Sequence, residues 1–211
     1  MNGYYPQVLE RLIELLCKLP GIGQKSATRI ALFLLRDKTD LAMRLAEALK
    51  EVRERIRFCS VCFNFTDVDP CAICRNPSRE DGTICVVEGP GDQLAVEDAG
   101  FFKGRYHILH GVLSPLDGIG PEDLKIGELL KRMNIEGIEE VILATNPTAE
   151  GEATASFIAR AVASGYPSVK VSRIALGIPM GGDLKHTDRM TLGHSFRSRI
   201  QVEGVGKDNG S

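Results

Sequence analysis

Cys59-Ser-Val-Cys62-Phe-Asn-Phe-Thr-Asp-Val-Asp-Pro-Cys71-Ala-Ile-Cys74 divides the 211-residue chain into two parts of unlike pattern. Each Cys-x-x-Cys pair can wrap one edge of a tetrahedral ion, and Asp67, Asp69 and Pro70 favour a turn that brings the pairs together. Four thiolates fill the coordination shell and leave no position for water. The spacing therefore predicts one structural zinc per chain on Cys59, Cys62, Cys71 and Cys74. A redox dithiol would need only one pair. The loops are too short to hold a recognition helix between the pairs, which separates this knuckle from a DNA-reading finger.

On the N-terminal side the pattern is helical. Val8, Leu9, Leu12, Ile13, Leu16 and Leu19 recur at helical spacing and stop at Pro20-Gly21-Ile22-Gly23, a tight turn. A second helix is expected from about Gln24 to Leu35. Asp40 can cap a third, with Leu41, Leu45, Ala48, Val52 and Ile56 as its apolar stripe. On the C-terminal side Ile84–Val87, Tyr106–Leu109, Val141–Ala144 and Val169–Ala175 read as buried strands. Helices near Asp92–Ala99, Glu122–Met133 and Glu150–Ala163 lie between them. That alternation predicts an α/β domain with a mainly parallel sheet covered by helices. Gly177–Gly182 is a Gly/Pro loop, Asp188–Arg199 a last helix, and Gly204–Ser211 a flexible tail.

Neither a secretory signal nor an apolar run long enough to span a bilayer is visible, so the expected compartment is the reducing cytoplasm. There, clustered cysteines bind metal more often than they form disulfides. Cys17 and Cys85, set among apolar neighbours, read as small buried hydrophobes. Charge is uneven: residues 1–57 carry 11 Lys/Arg against 7 Asp/Glu, and the remainder 15 against 21. A mildly basic start suits phosphate, and an acidic remainder suits a metal or a basic protein.

Two further stretches carry chemistry. In Leu19-Pro-Gly-Ile-Gly-Gln-Lys-Ser-Ala27, Gly21 and Gly23 let the backbone approach a phosphate, and the helix that follows presents its N-terminal amides. Lys25 and Arg29 lie four apart on one helical face and can contact neighbouring phosphates without reading bases. The competing reading is a plain helix connection with two solvated cations. Glu88 falls at the end of the first strand of the sheet, and Asn146-Pro-Thr-Ala-Glu150-Gly-Glu152 follows the third. In a parallel sheet both lie where ligand sites gather. Converging carboxylates could hold magnesium, but Asn146 and Thr148 are weak ligands, and Glu150 and Glu152 equally suit the first turn of a helix. Gly89-Pro-Gly-Asp92 lacks the lysine of a P-loop and reads as a turn. His107 and His110 have no ligand-spaced partner, and Arg197 and Arg199 read as a solvated helix face.

Taken in order, these motifs resemble the RecR family of bacterial recombination mediators over nearly the whole chain. Leu19-Pro-Gly-Ile-Gly with Lys25, Ser26 and Ala27 is similar to its helix-hairpin-helix, and the four cysteines to its zinc module. Val87-Glu88-Gly-Pro-Gly-Asp92 with Asn146–Glu152 is similar to its Toprim domain, and Gly177-Ile-Pro-Met-Gly-Gly-Asp183-Leu to its closing segment. The resemblance implies a helix-hairpin-helix DNA-binding domain at 1–57, a zinc finger at 58–78 and a Toprim domain at 79–177. A C-terminal segment at 178–203 and a flexible tail at 204–211 complete the expected layout.

It further implies a non-enzymatic protein of DNA recombination and repair, associated with the nucleoid. Such a protein forms dimers or ring-like tetramers around DNA, binds RecO and RecF, and helps load RecA onto gapped DNA coated by single-strand-binding protein. Lys25 and Arg29, with Gly21 and Gly23, match positions of DNA contact. Glu88, Glu150 and Glu152 match a degenerate acidic site or a partner contact. Catalytic Toprim proteins carry an Asp-x-Asp pair where Asn146 and Thr148 stand here, which argues against strand cleavage or primer synthesis. A metal-dependent Toprim nuclease or primase, and a zinc scaffold without DNA contact, are the alternatives.

Overall fold

The structure, a computed structural model, describes residues 5–80, 82–135, 137–175 and 177–199. Between Ile56 and Arg57 the chain divides into two compact units.

The first unit holds α1 (Gln7–Cys17), α2 (Gln24–Arg36) and α3 (Leu41–Arg55). Ala27 and Ala31, four apart on α2, are small enough to let α1 approach closely, and with Ile13 they form the buried centre. Leu9, Leu12, Leu16, Cys17 and Ile22 pack around it. Three details differ from expectation. α1 stops at Cys17, leaving Leu19 exposed in the turn. Cys17 is only half-buried, and its thiol donates to Gln24 Oε1 at 3.2 Å. Asp40 precedes α3 in the left-handed region, φ 60°, with no capping bond from its side chain. Asp37 caps instead: its Oδ2 accepts from the Leu41 amide at 2.9 Å and the Thr39 amide at 3.0 Å. The Leu41 amide is the main reason its carboxyl titrates below the usual range. Of the stripe expected on α3, Leu41 is half-buried, while Leu45, Ala48, Val52 and the following Ile56 are exposed, as is Leu49 beside them.

The second unit begins with a small antiparallel pair, β1 (Arg57–Phe58) and β2 (Phe65–Thr66), and the short helix α4 (Ala72–Arg75). Next come β3 (Thr83–Val87), α5 (Pro90–Ala99), β4 (Arg105–Ile108), α6 (Ile126–Ile135), β5 (Glu140–Leu143), α7 (Ala149–Gly165) and β6 (Lys170–Arg173). The four longer strands form one parallel sheet in the order β4-β3-β5-β6. Alternate residues of β3 serve opposite faces, as the pleat requires. Ile84 and Val86 join Val141, Leu143, Leu129, Ile158 and Val162 beneath α6 and α7. Cys85 and Val87 join Tyr106, Ile108 and Ala144, packed by Val96 of α5 and Ile73 of α4.

Gly89-Pro-Gly-Asp92 is a helix start rather than a free turn. Pro90 opens α5, and the Asp92 carboxylate accepts from the Gly89 amide at 2.9 Å. The expected helix from Glu122 begins only at Ile126, and the last strand shortens to Lys170–Arg173. α8 (Arg189–Arg197) closes the described chain, its start capped by Asp188, whose Oδ1 accepts from the Met190 and Thr191 amides at 2.9 Å. Arg197 and Arg199 are exposed. The expected tail at 204–211 and the end of the 178–203 segment lie outside the described residues.

Candidate functional site

The four cysteine sulfurs are buried and all lie within 4.8 Å of one another. A tetrahedron with Zn–S bonds of about 2.3 Å has edges of about 3.8 Å; Cys62 and Cys71 are already 3.6 Å apart. The loop between the pairs is tied in from both sides. Asp69 Oδ1 accepts from the Ser60 amide at 2.7 Å, and the Cys71 amide points to Cys59 Sγ at 3.3 Å. Without a cation, this crowding is unfavourable to several thiolates. Its hydrogen bond to Cys71, then burial, pushes the Cys62 thiol up to about 12, and Cys74 is also driven upward by Cys62 and Cys71. A dication removes that conflict by lending positive charge to four sulfurs at once. Four buried thiols in this geometry fit a single structural zinc.

The zinc module is built onto the sheet. β4 is an edge strand, and the outward Ile108 amide donates to the Cys62 carbonyl at 3.0 Å, so the knuckle covers an edge that would otherwise be open. His110 Nε2 lies 2.6 Å from the Phe63 carbonyl and therefore donates to it, while its ring packs on Phe58 with centroids 4.5 Å apart. His107 is fully buried, and its Nε2 lies 2.7 Å from the Lys125 carbonyl, which can only accept. That bond fixes the tautomer, leaving Nδ1 to accept from Arg132 at 3.3 Å. Burial, and after it Arg132, pulls the His107 ring down to about 3, so it is neutral at pH 7.

The acidic stretches do meet at the carboxyl ends of the strands. Sheet order reverses direction between β3 and β5, the place where open α/β sheets form a crevice. Glu88, after β3, uses both oxygens on one residue: Oε1 accepts from the Asn146 amide and Oε2 from its side-chain Nδ2, each at 2.7 Å. Thr148 caps α7 by accepting from the Gly151 amide at 3.0 Å. Gly151 is required by closeness, since a Cβ there would stand 2.1 Å from the Asn146 carbonyl oxygen and 2.8 Å from Glu88 Oε1. Glu150 and Glu152 occupy the first turn of α7, where the helix dipole favours them. Glu150 is exposed, and Glu152 Oε1 pairs with Arg173 at 2.5 Å.

In the helical unit, Gly21 sits at φ 74°, the left-handed conformation that a tight turn between α1 and α2 needs. Gly23 stands at the N-cap of α2, and no side chain caps that end. Lys25 and Arg29 are exposed on the face opposite Ala27 and Ala31. With Thr28, Leu32, Phe33 and Arg36 they line an open hollow of about 620 Å³.

Family comparisons match this layout in order. Residues 9–53 match the RecR helix-hairpin-helix, 56–76 the RecR four-cysteine zinc finger domain, 82–175 the Toprim domain and 177–200 the RecR C-terminal segment. The recombination protein RecR of Syntrophobacter fumaroxidans is 55% identical over 199 residues, covering 94% of this chain and 98% of that protein. Its counterpart from Carboxydothermus hydrogenoformans is 50% identical over 200 residues, covering 95% and 100%. The chain belongs to the RecR family.

Within this RecR framework, sequence reasoning missed Arg36 and Arg173 and found no ligand-spaced partner for His110. Arg36 lies seven residues after Arg29, two helical turns along the same face, so spacing carried the signal. His110 and Arg173 gave no such signal. Their partners, Phe63 and Glu152, are distant in sequence and are brought near only by the folded sheet unit. No helix among the described residues is long and apolar enough to cross a membrane.

Proposed function

We propose that this chain is a DNA-binding mediator of recombinational repair that turns over no substrate. In this reading it acts as a ring-like clamp and adaptor with RecO and RecF, helping to load RecA onto gapped DNA coated by single-strand-binding protein. The observation that carries the reading is α2: uncapped first-turn amides at Gly23 beside a face bearing Lys25, Arg29 and Arg36. Amides and cations placed so suit successive phosphates of any sequence. The uncovered stripe of α3, Leu45, Leu49, Val52 and Ile56, supports assembly into dimers or ring-like tetramers, since an apolar face of this length rarely stays in water. Exposed Glu150, at the lip of an acidic unit, suits a basic partner such as RecO. The place of action is the nucleoid.

The decisive experiment replaces Lys25 and Arg29 by Glu in the zinc-loaded chain and measures binding to gapped and duplex DNA, with and without magnesium, while monitoring cleavage. Binding should weaken by at least about tenfold and its salt dependence should shallow by about two phosphates' worth of counterions. Zinc content and the melting curve should not move. Unchanged affinity removes these residues from the interface. Magnesium-dependent cleavage lost in Glu88→Ala would instead establish the nuclease, and a chain that binds no DNA at all would be a scaffold.

A further inference from the structure

One face of α2 carries more than charge. Lys25, Arg29 and Phe33 follow one another at intervals of four residues, and Arg36 comes three after Phe33, so all four share a side of the helix. They line a single hollow together with half-buried Leu32. Phe33 keeps 58% of its surface exposed there. A phenyl ring left in water between Arg29 and Arg36 serves no core, since the buried centre of this unit is Ile13, Ala27 and Ala31.

The polar groups around the ring are either committed elsewhere or cationic. Thr28 donates its hydroxyl to the Gln24 carbonyl at 2.9 Å, and Asp37, just past the helix, holds the Leu41 amide at the start of α3. Among the described residues Lys25, Arg29 and Arg36 pair with no carboxylate. Arg55 of α3, by contrast, is held by Glu51. From Lys25 to Arg36 the helix rises about 16 Å, so the three cations offer places for successive phosphates of one strand. Charge alone does not tell paired from unpaired DNA. A ring does. In a duplex both faces of each base are covered by its neighbours, and an aromatic side chain on a protein surface meets no free base face. An unpaired base offers one, and its stacking on an aromatic ring is tolerant of sequence.

We propose that Phe33 is a stacking platform for an unpaired base, and that the hollow on α2 thereby selects single-stranded DNA, as at a gap, over continuous duplex. This role rests on the DNA-binding reading of Lys25 and Arg29 and adds to it a preference that cations do not confer.

The chain contains no tryptophan, so Phe33→Trp installs a single emitter at the contact. In the full zinc-loaded chain, an oligothymidylate should quench that emission by at least about twofold through base stacking. Relaxed closed circular duplex, which has no ends, and an abasic strand of equal length should leave it nearly unchanged. Phe33→Leu keeps an apolar side chain and every charge. It should weaken oligothymidylate binding by at least about fivefold while leaving circular-duplex affinity and the salt dependence as they were. Phe33→Tyr, which keeps a ring, should bind as the parent does. A Lys25 and Arg29 charge reversal that leaves DNA affinity unchanged removes the DNA-binding reading and the stacking role with it. Where that reversal weakens binding but Phe33→Leu holds the single strand as tightly as the parent, the stacking role alone is overturned. Equal quenching by the circular duplex or the abasic strand overturns it too. So does a Phe33→Leu chain that changes its oligomeric state and loses both DNAs alike, since the ring would then be covered by a second copy.

Discussion

Two clusters in the same unit look like metal sites in sequence, and they differ in what already holds their donors. At the knuckle, Cys59, Cys62, Cys71 and Cys74 crowd together in a buried space, with the Cys71 amide pointed at Cys59. Their mutual proximity pushes protons onto Cys62 and Cys74. At the crevice, Glu88 is satisfied by Asn146 and Glu152 by Arg173. The two clusters therefore differ in whether the donors crowd one another or are supplied with hydrogen bonds and a cation by the chain. The first cluster has the geometry for an ion, and the second is already hydrogen-bonded and paired by the chain's own groups.

The largest expected effect breaks the first half of this contrast. Binding of a structural zinc is worth about 10–16 kcal/mol in small modules, comparable with the whole stability of a domain. Chelating the metal, or Cys59→Ser, should therefore unfold the knuckle and cost the sheet unit more than about 4 kcal/mol. The damage should reach β4, because the Ile108 amide donates to Cys62 and His110 to Phe63. Hydrogen exchange in the peptide 105–110 should speed up along with that of 57–76. If chelation leaves 105–110 as protected as before, the knuckle is an appendage and not part of the sheet.

Gly151→Ala comes next. Its Cβ would overlap the Asn146 carbonyl and press on Glu88 Oε1. Backbone and a hydrogen-bonded carboxylate have little room to yield, so a loss of about 2–3 kcal/mol is expected in urea denaturation. The variant should also loosen the Glu88 to Asn146 bonds, which would appear as faster exchange of the Asn146 amide. A neutral result would mean that the lip is soft, and that its acids could rearrange around an ion after all.

How far the sequence foretells this contrast depends on the range of each interaction. The zinc ligands are legible because two pairs with short loops confine four donors locally, and the parallel sheet because strand and helix periods alternate along the chain. The first turn of α7 is legible for the same reason. Glu150 and Glu152 favour a helix start wherever it lies. Arg173 and His110 are not legible: their contacts join residues 21 and 47 positions apart, and nothing local marks them. Asp37 takes the capping role expected of Asp40: the chain enters α3 with Asp40 in the left-handed region and without a capping bond from its side chain, and Asp37 accepts from the Leu41 amide instead. The stripe of α3 is readable as apolar, but periodicity names a face and not what covers it. Among the described residues of its unit nothing does.

The smallest effect tests the second half of the contrast through its sign. In a vacant metal site, acids repel one another, and changing one to its amide relieves that repulsion and stabilises the protein. In a crevice satisfied from within, the same change removes an acceptor. Glu88→Gln replaces an ionised acceptor by a neutral amide: its oxygen can still accept from the Asn146 amide, but the second 2.7 Å bond is lost unless the Asn146 side chain flips to offer Oδ1 to the new NH₂, and the bonds that remain are to a neutral acceptor. A destabilisation of about 1–2 kcal/mol follows, since hydrogen bonds to an ionised acceptor are the stronger kind. A crevice satisfied from within makes that cost the same with or without magnesium. Asn146→Ala should cost less, as the backbone amide continues to donate to Oε1. The double variant should cost less than the two single changes added, because both remove the same bond. A Glu88→Gln chain that melts higher than its parent would show instead that the carboxylate was in conflict, and would place this crevice beside the knuckle as a site built for an ion.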